Sequence, residues 1–348
     1  MVEKDTMLYR NLGNSGLKVS AISIGNWVTG HNLDFEETQF QVFSKFINAG
    51  VNFLDTAEIY GFGNAEEILG KVIKRGGWNR DELVISTKFL RCGDSVGLSR
   101  KRLIQAMKKS LQRLQLDYVD VMFLHRFDHE VPLEESVRAV NHLIEKGKAS
   151  YWGTSEFTPQ QLMEVHKICE KHGYITPIAE QCQYSMLIRE NVEVNYANLF
   201  DNYGLGTTIW SPLAGGILSG KYNDGNVPDG SRLADPSLPE FVRAKYMEYF
   251  NEKNKAKTIQ MFSGLNSIAN ELGATQAQLA LAWCIKNPDV STAITGATSA
   301  AQADNNVGSI ALLDKLDCGV LKRIEEVLNN RPTPPIDFRK WEPRPPRR

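Results

Sequence analysis

Eight short apolar runs alternating with amphipathic stretches predict an α/β fold, a parallel sheet closed into a (β/α)8 TIM barrel. The runs occupy 21–25, 51–54, 83–87, 118–124, 149–153, 177–181, 207–211 and 290–295, and stretches of helical period lie between them at 36–49, 64–75, 100–114, 133–145, 159–171 and 190–203. The runs are also apolar at consecutive positions, as strands buried on both faces must be.

The chain opens with two extended pieces, 7–12 and 17–20, around Gly13-Asn14-Ser15-Gly16, a tetrapeptide suited to a hairpin turn. Such a hairpin is expected to plug one end of the barrel. The first barrel run is followed by Gly25-Asn26-Trp27-Val28, and not by the Gly-x-Gly-x-x-Gly loop that opens a doubly wound sheet, the rival architecture. Asp34, Ser99 and Thr158 stand where helix N-caps are needed. The regular spacing breaks once, between the seventh and eighth runs, where a charged segment at 237–257 precedes a long helical pattern at 264–286. An insertion of that length at the catalytic face predicts a cover over a bound ligand. Residues 1–330 are expected to form a single domain. The tail 331–348 holds six prolines and six arginines or lysines, too few apolar groups to fold by itself, and is expected to be a surface strap or a disordered segment.

The 348 residues are 42% hydrophobic and 23% charged with a formal net charge of -1, which demands no nucleic-acid-binding face. Five cysteines (Cys92, Cys169, Cys182, Cys284, Cys318) include no close pair, which argues against a disulfide framework and against a zinc knuckle. No metal site is expected. The N-terminus has no apolar signal core and no window reaches the roughly 20 apolar residues of a membrane span, so a cytoplasmic protein without membrane insertion is expected.

Asp55, Tyr60, Lys88 and His125 each lie at or just past the end of an apolar run, so a parallel barrel brings them to one rim. Taken singly, Asp55 reads as a cap or turn residue, Tyr60 as a core or rim aromatic and His125 as a satisfied structural histidine, whereas Lys88 is harder to dismiss because a barrel mouth is costly ground for an unpaired amine. Together they form an acid-base site. An ammonium near a phenol favours the phenolate, so Lys88 is expected to lower the Tyr60 pKa from about 10, with Asp55 holding the lysine in place. His125 would hydrogen-bond and polarise a carbonyl receiving the phenol's proton. That chemistry is carbonyl reduction, with a hydride arriving at the carbonyl carbon. On later strand ends stand Ser155, Gln181, Trp210-Ser211-Pro212-Leu213 and Gly296-Ala297-Thr298. Their amides and hydroxyls suit a nicotinamide carboxamide and an aromatic ring could stack on the nicotinamide, although by themselves these residues read as no more than a polar barrel rim.

The segments MLYRNLGNSGLKVS, GNWVTG, NFLDTAEIYG, VISTK, GLSRKRLIQAMKKSLQRLQLDYVDV, YWGTSEF, WSPLAGGILSGKY and ITGATSAAQADNNV identify a resemblance, from about Met7 to Asn330, to the aldo-keto reductases. Within that family the chain is most similar to the β subunits of voltage-gated potassium channels and their plant relatives. The resemblance implies that Asp55, Tyr60, Lys88 and His125 are the catalytic tetrad. It implies NADPH/NADP+ as cofactor, with Trp27 near the nicotinamide, Asp55 beside it, Ser155 and Gln181 on the carboxamide, and Trp210, Ser211, Pro212 and Leu213 along the pyrophosphate. Lys221 and Arg232 stand for the phosphates, and Gly296, Thr298, Gln302, Asn305 and Asn306 for the adenosine end. A cationic fork at Arg232 would favour NADPH over NADH. Trp27, Tyr60, Phe89 and His125 are expected to shape the substrate pocket.

Three positions depart from the animal channel subunits. They carry asparagine where His125 stands, arginine where Glu156 stands and glutamate where Asn305 stands, the last altering one hydrogen bond expected to the adenine. His125 completes the tetrad and favours vigorous catalysis. The N-terminus is shorter than in channel subunits carrying an inactivation segment, which argues against channel block. Two functions follow: an NADPH-dependent reductase of aldehydes and ketones, or a homotetrameric partner of a potassium channel α subunit that senses NADPH/NADP+ redox state.

Overall fold

The computed structural model describes residues 7–27, 36–236 and 238–335, with the backbone alone at 241. Its strands are β1 (Tyr9–Asn11), β2 (Lys18–Ser20), β3 (Ile22–Gly25), β4 (Phe53–Asp55), β5 (Val84–Phe89), β6 (Arg91–Cys92), β7 (Ser95–Val96), β8 (Val119–Leu124), β9 (Ala149–Ser155), β10 (Ala179–Gln181), β11 (Gly206–Trp210) and β12 (Thr292–Thr295). The helices are α1 (Glu36–Asn48), α2 (Asn64–Gly76), α3 (Arg100–Leu114), α4 (Leu133–Glu145), α5 (Pro159–His172), α6 (Ala197–Tyr203), α7 (Glu240–Met247), α8 (Lys255–Glu271), α9 (Gln276–Lys286), α10 (Ala300–Val307) and α11 (Cys318–Leu328). Strands β3, β4, β5, β8, β9, β10, β11 and β12 close in that order into an all-parallel barrel, the (β/α)8 architecture expected.

The β1–β2 hairpin seals the N-terminal end. Leu12 and Val19 are fully buried and pack with Phe53, Val84, Val121, Phe123, Ile178, Ala179 and Ile294 inside the barrel. Burying each is worth about 1.5–3 kcal/mol. Gly13 makes the turn with φ +57°, and a Cβ there would lie 2.2 Å from the Ile178 carbonyl oxygen. Arg10 donates to the carbonyls of Ile285, Asn287 and Val290, which tie the hairpin to the segment entering β12. The open mouth is therefore at the C-terminal ends of the strands.

Strand β5 shows how side chains are sorted. Val84 joins the barrel interior while Ile85 and Phe89 join the larger core between sheet and helices. With a period of two, Ser86 and Lys88 face inward and Thr87 outward, where its hydroxyl meets Glu66 of α2 at 2.5 Å. The caps foreseen at Ser99 and Thr158 are present, the latter as a full capping box with Gln161.

Several elements differ from the sequence reading. The pattern at 190–203 is a wide π-type turn, Asn191–Asn195, followed by α6; between them Tyr196 is buried and donates to the Phe157 carbonyl. The single helix expected over 264–286 is two, α8 and α9, because Gly273 turns the chain at φ +70° and Thr275 starts a new capping box. The β6–β7 hairpin on the rim was not foreseen. Asp34, Val28 to Gly30 and residues 336–348 lie outside the described residues. No helix among the described residues is long and apolar enough to cross a membrane.

Candidate active site

Parallel pairing brings the four catalytic candidates together. Asp55 ends β4 opposite Ser86 of β5, Lys88 stands next to last in β5, His125 follows β8, and Tyr60 starts a tight turn after β4. Lys88 Nζ donates to Asp55 Oδ2 at 2.5 Å, to the Thr56 carbonyl at 2.7 Å and to the Tyr60 hydroxyl at 3.3 Å. Ser86 Oγ and Gln181 Nε2 both donate to Asp55 Oδ1, at 2.6 and 3.2 Å. The ion pair is fully buried, so each charge is matched by a partner and by neutral hydrogen bonds, as burial requires. The Tyr60 and His125 rings meet edge to face at 5.9 Å, and the Trp27 ring lies 6.2 Å from Tyr60.

Lys88 acts to lower the Tyr60 pKa, as expected, but the net shift is in the other direction. Burial of the phenol dominates and raises it above 10.0, with Lys88 acting in the opposite sense and Asp55 adding to the rise. Lys88 is held closer to Asp55 and Thr56 than to the phenol, which limits its pull. Tyr60 therefore carries its proton at neutral pH. Burial, reinforced by Lys88 and Arg126, holds the His125 pKa well below 6.5, so the imidazole is neutral and can donate one hydrogen bond.

The expected nucleotide-facing residues lie along the same mouth. Ser155 Oγ donates to the Gln181 carbonyl at 2.9 Å and accepts from Arg126 Nη1 at 3.0 Å. Gln181 Nε2 is engaged by Asp55 and Thr208, which leaves Oε1 as an acceptor suited to an amide NH2 group. Arg232 stacks its guanidinium 4.4 Å above the Trp27 ring, near the catalytic end of the cleft, and Lys221 is exposed. Ser211 and Ala214 adopt left-handed backbone after β11, strain of a kind that clusters at functional sites. Beyond β12, Thr298 donates to Gln302, Asn305 accepts from the Thr275 hydroxyl, and the Asn306 amide donates to Thr295 and Gly296. Asn306 thus spends its NH2 group within the fold.

Phe89 does not belong to the substrate pocket. It is fully buried among the helices, because inward Lys88 forces its neighbour outward. Sequence reasoning missed the function of Glu156, whose carboxylate at φ +58° accepts from the Gln183 amide at 2.7 Å and the Trp210 indole at 2.8 Å. Gln183 in turn bonds Tyr246 and Lys245 of α7, and Tyr246 lies 3.3 Å from Ser211. This network anchors the insertion over the mouth. Ser86 was also missed, although its two-residue spacing from Lys88 was a readable signal.

A barrel with this buried aspartate, lysine and tyrosine beside a neutral histidine is the architecture of an oxidoreductase family, and the chain belongs to the aldo/keto reductase family, whose model matches residues 21–329. Members of that family generally use NAD(P)H. Among curated relatives, a probable voltage-gated potassium channel subunit beta of Arabidopsis thaliana is 44% identical over 96% of this chain and all of its own length. One of the same description from Oryza sativa is 43% identical over 94% of this chain and 98% of its own, and a putative voltage-gated potassium channel subunit beta of Schizosaccharomyces pombe is 45% identical over 93% and 94%.

Proposed function

We propose that the protein reduces aldehydes or ketones to alcohols with NADPH, and the observation that carries the proposal is the buried Asp55–Lys88 pair joined to the proton-bearing Tyr60 beside neutral His125. Ser155 and Gln181 would hold the cofactor's carboxamide, Trp27 would border its nicotinamide, and Lys221 and Arg232 would answer its phosphates. Trp210, Ser211, Pro212 and Leu213 would follow the pyrophosphate, with Gly296, Thr298, Gln302, Asn305 and Asn306 at the adenosine end. Bound NADPH would supply the hydride.

The chain's own residues handle the proton. His125 donates a hydrogen bond to the carbonyl oxygen and seats it within reach of the Tyr60 hydroxyl. As negative charge develops on that oxygen, the buried ammonium of Lys88 stabilises the phenolate that forms when Tyr60 gives up its proton. Asp55 keeps Lys88 pointed at the phenol throughout.

The test is the decay of NADPH absorbance with 4-nitrobenzaldehyde, run beside NADH and beside Tyr60→Phe. Steady turnover with NADPH is expected, falling about 10²- to 10⁴-fold in the variant while cofactor affinity is retained. Unchanged turnover in the variant would remove Tyr60 from the acid's role.

A second reading follows from the relatives, described as potassium channel β subunits: we infer, as the alternative, a homotetramer bound to the cytoplasmic domain of a potassium channel α subunit, reading NADPH/NADP+ as a redox signal. One stoichiometric oxidation without turnover, with tetramers in light scattering and capture by a channel's tetramerisation domain, would favour it.

A further inference from the structure

Arg126 is the residue at the mouth that the proposed reaction leaves unexplained. It follows His125 directly and is partly buried. One nitrogen, Nη1, serves the fold by donating to the His125 carbonyl and to Ser155 Oγ. The guanidinium's remaining edge, Nε with Nη2, is the planar two-donor fork that matches a carboxylate. Among the described residues no carboxylate is paired with it. Four acidic groups on neighbouring rim segments are committed elsewhere: Asp55 to Lys88, Glu58 to Arg102, Asp128 to the amides of Leu98 and Glu130, and Glu156 to Gln183 and Trp210.

The surroundings add a second requirement. Ile59 and Phe62, on the loop that carries Tyr60, and Val96 on the adjoining β6–β7 hairpin are large apolar side chains left 36%, 75% and 56% exposed. Arg102 links that hairpin to Glu58, so the two loops adjoin. Phe62 is held in left-handed backbone between two glycines, a conformation a bulky residue adopts only under constraint.

We propose that the site is built for carbonyl compounds carrying a carboxylate next to the carbonyl and an apolar body, 2-oxo acids with aromatic or branched side chains, with Arg126 as the residue that recognises the carboxylate. The proposal rests on the reductase reading above. With the carbonyl oxygen between Tyr60 and His125, the carboxylate turns to the Nε–Nη2 edge of Arg126 and the apolar body lies towards Ile59, Phe62 and Val96. A C–H bond forms at the carbonyl carbon from the hydride as the C=O π bond breaks, the oxygen takes the Tyr60 proton, the nicotinamide is left oxidised, and the product is the 2-hydroxy acid.

The experiment compares phenylglyoxylate with its methyl ester, two substrates of one frame that differ in charge, in wild type and in Arg126→Met. Wild type is expected to prefer the acid in kcat/KM by about tenfold or more, and Arg126→Met to lower the acid-to-ester ratio by a similar factor, chiefly through the KM of the acid. An ester preference in wild type, or a ratio unmoved in the variant, would overturn the assignment. Binding of benzoate and benzamide to the NADP+-loaded protein, measured by calorimetry, reads the same site without turnover. Tighter benzoate binding that is lost in Arg126→Met supports it, and equal binding of the two refutes it. Failure to reduce 4-nitrobenzaldehyde as well would instead sink the reductase reading.

Discussion

Lys88→Met isolates the group on which the whole site hangs. Methionine fills nearly the same volume but removes a charge with no solvent exposure and three hydrogen bonds, to Asp55, Thr56 and Tyr60. Asp55, only 3% exposed, then keeps the Ser86 hydroxyl and the Gln181 amide but no cation. Breaking a buried pair from one side costs about 3–5 kcal/mol, and the two surviving bonds place the expected loss in the lower half of that range. Adding Asp55→Asn removes the stranded charge, so the double variant should be more stable than the sum of the single losses by about 1–3 kcal/mol. Urea unfolding followed by tryptophan fluorescence, with refolding checked, reads both quantities. A Lys88→Met loss under about 1 kcal/mol, or losses that simply add, would refute the view that the pair is a coupled buried unit.

The other expectations concern pH and packing. His125 stays neutral in the fold although it protonates below 6.5 when unfolded, so wild type binds protons on unfolding and loses stability as pH falls below 6.5; His125→Asn should flatten that slope by at most about 1.4 kcal/mol per pH unit in acid titrations of unfolding. Glu180, buried between Thr154 and the Phe157 amide, has its pKa pushed up to about 8, so it is protonated in the fold while the unfolded chain ionises above 4.5. Stability is therefore lost as pH rises from 4.5 towards 8, and Glu180→Gln should be more stable than wild type at pH 8 by up to a few kcal/mol, with the gain vanishing near pH 5. In Gly13→Ala the new methyl meets three backbone atoms, Ile178 O, Gly204 O and Gly206 N, at 2.2 to 2.7 Å, so thermal melting should show a loss of about 3 kcal/mol or more; an unchanged midpoint would mean that the hairpin does not press on the barrel floor.

Strands and helices were legible in the sequence because burial on both faces and amphipathic period leave clear marks. α3 and α4 begin and end where the pattern says. The break between α8 and α9 was hidden because apolar residues continue through Leu272 and Ala274 across Gly273, so period alone runs on. The tetrad's meeting point followed from strand ends, yet the direction of the Tyr60 pKa did not, since the sign depends on how deeply the phenol is buried. Phe89 was misassigned although its phase was readable: a strand that turns Lys88 inward turns the next residue outward. Arg126 and Glu156 were visible as residues and not as functions, because neither spacing nor composition says where a guanidinium edge is left over or that a glutamate adopts left-handed backbone to clasp an indole.

The floor of the barrel carries a consequence for how the chain is made. Among the described residues Arg10 donates to the carbonyls of Ile285, Asn287 and Val290, and β3 gains one of its two neighbours when β12 arrives. Synthesis runs from the N- to the C-terminus, so β1 to β3 wait for β12 before the ring is sealed. Until residue 295 emerges, β3 and β11 remain open edges of an unclosed sheet, able to pair with any other extended chain. The event that closes the barrel is thus the insertion of β12 between β11 and β3.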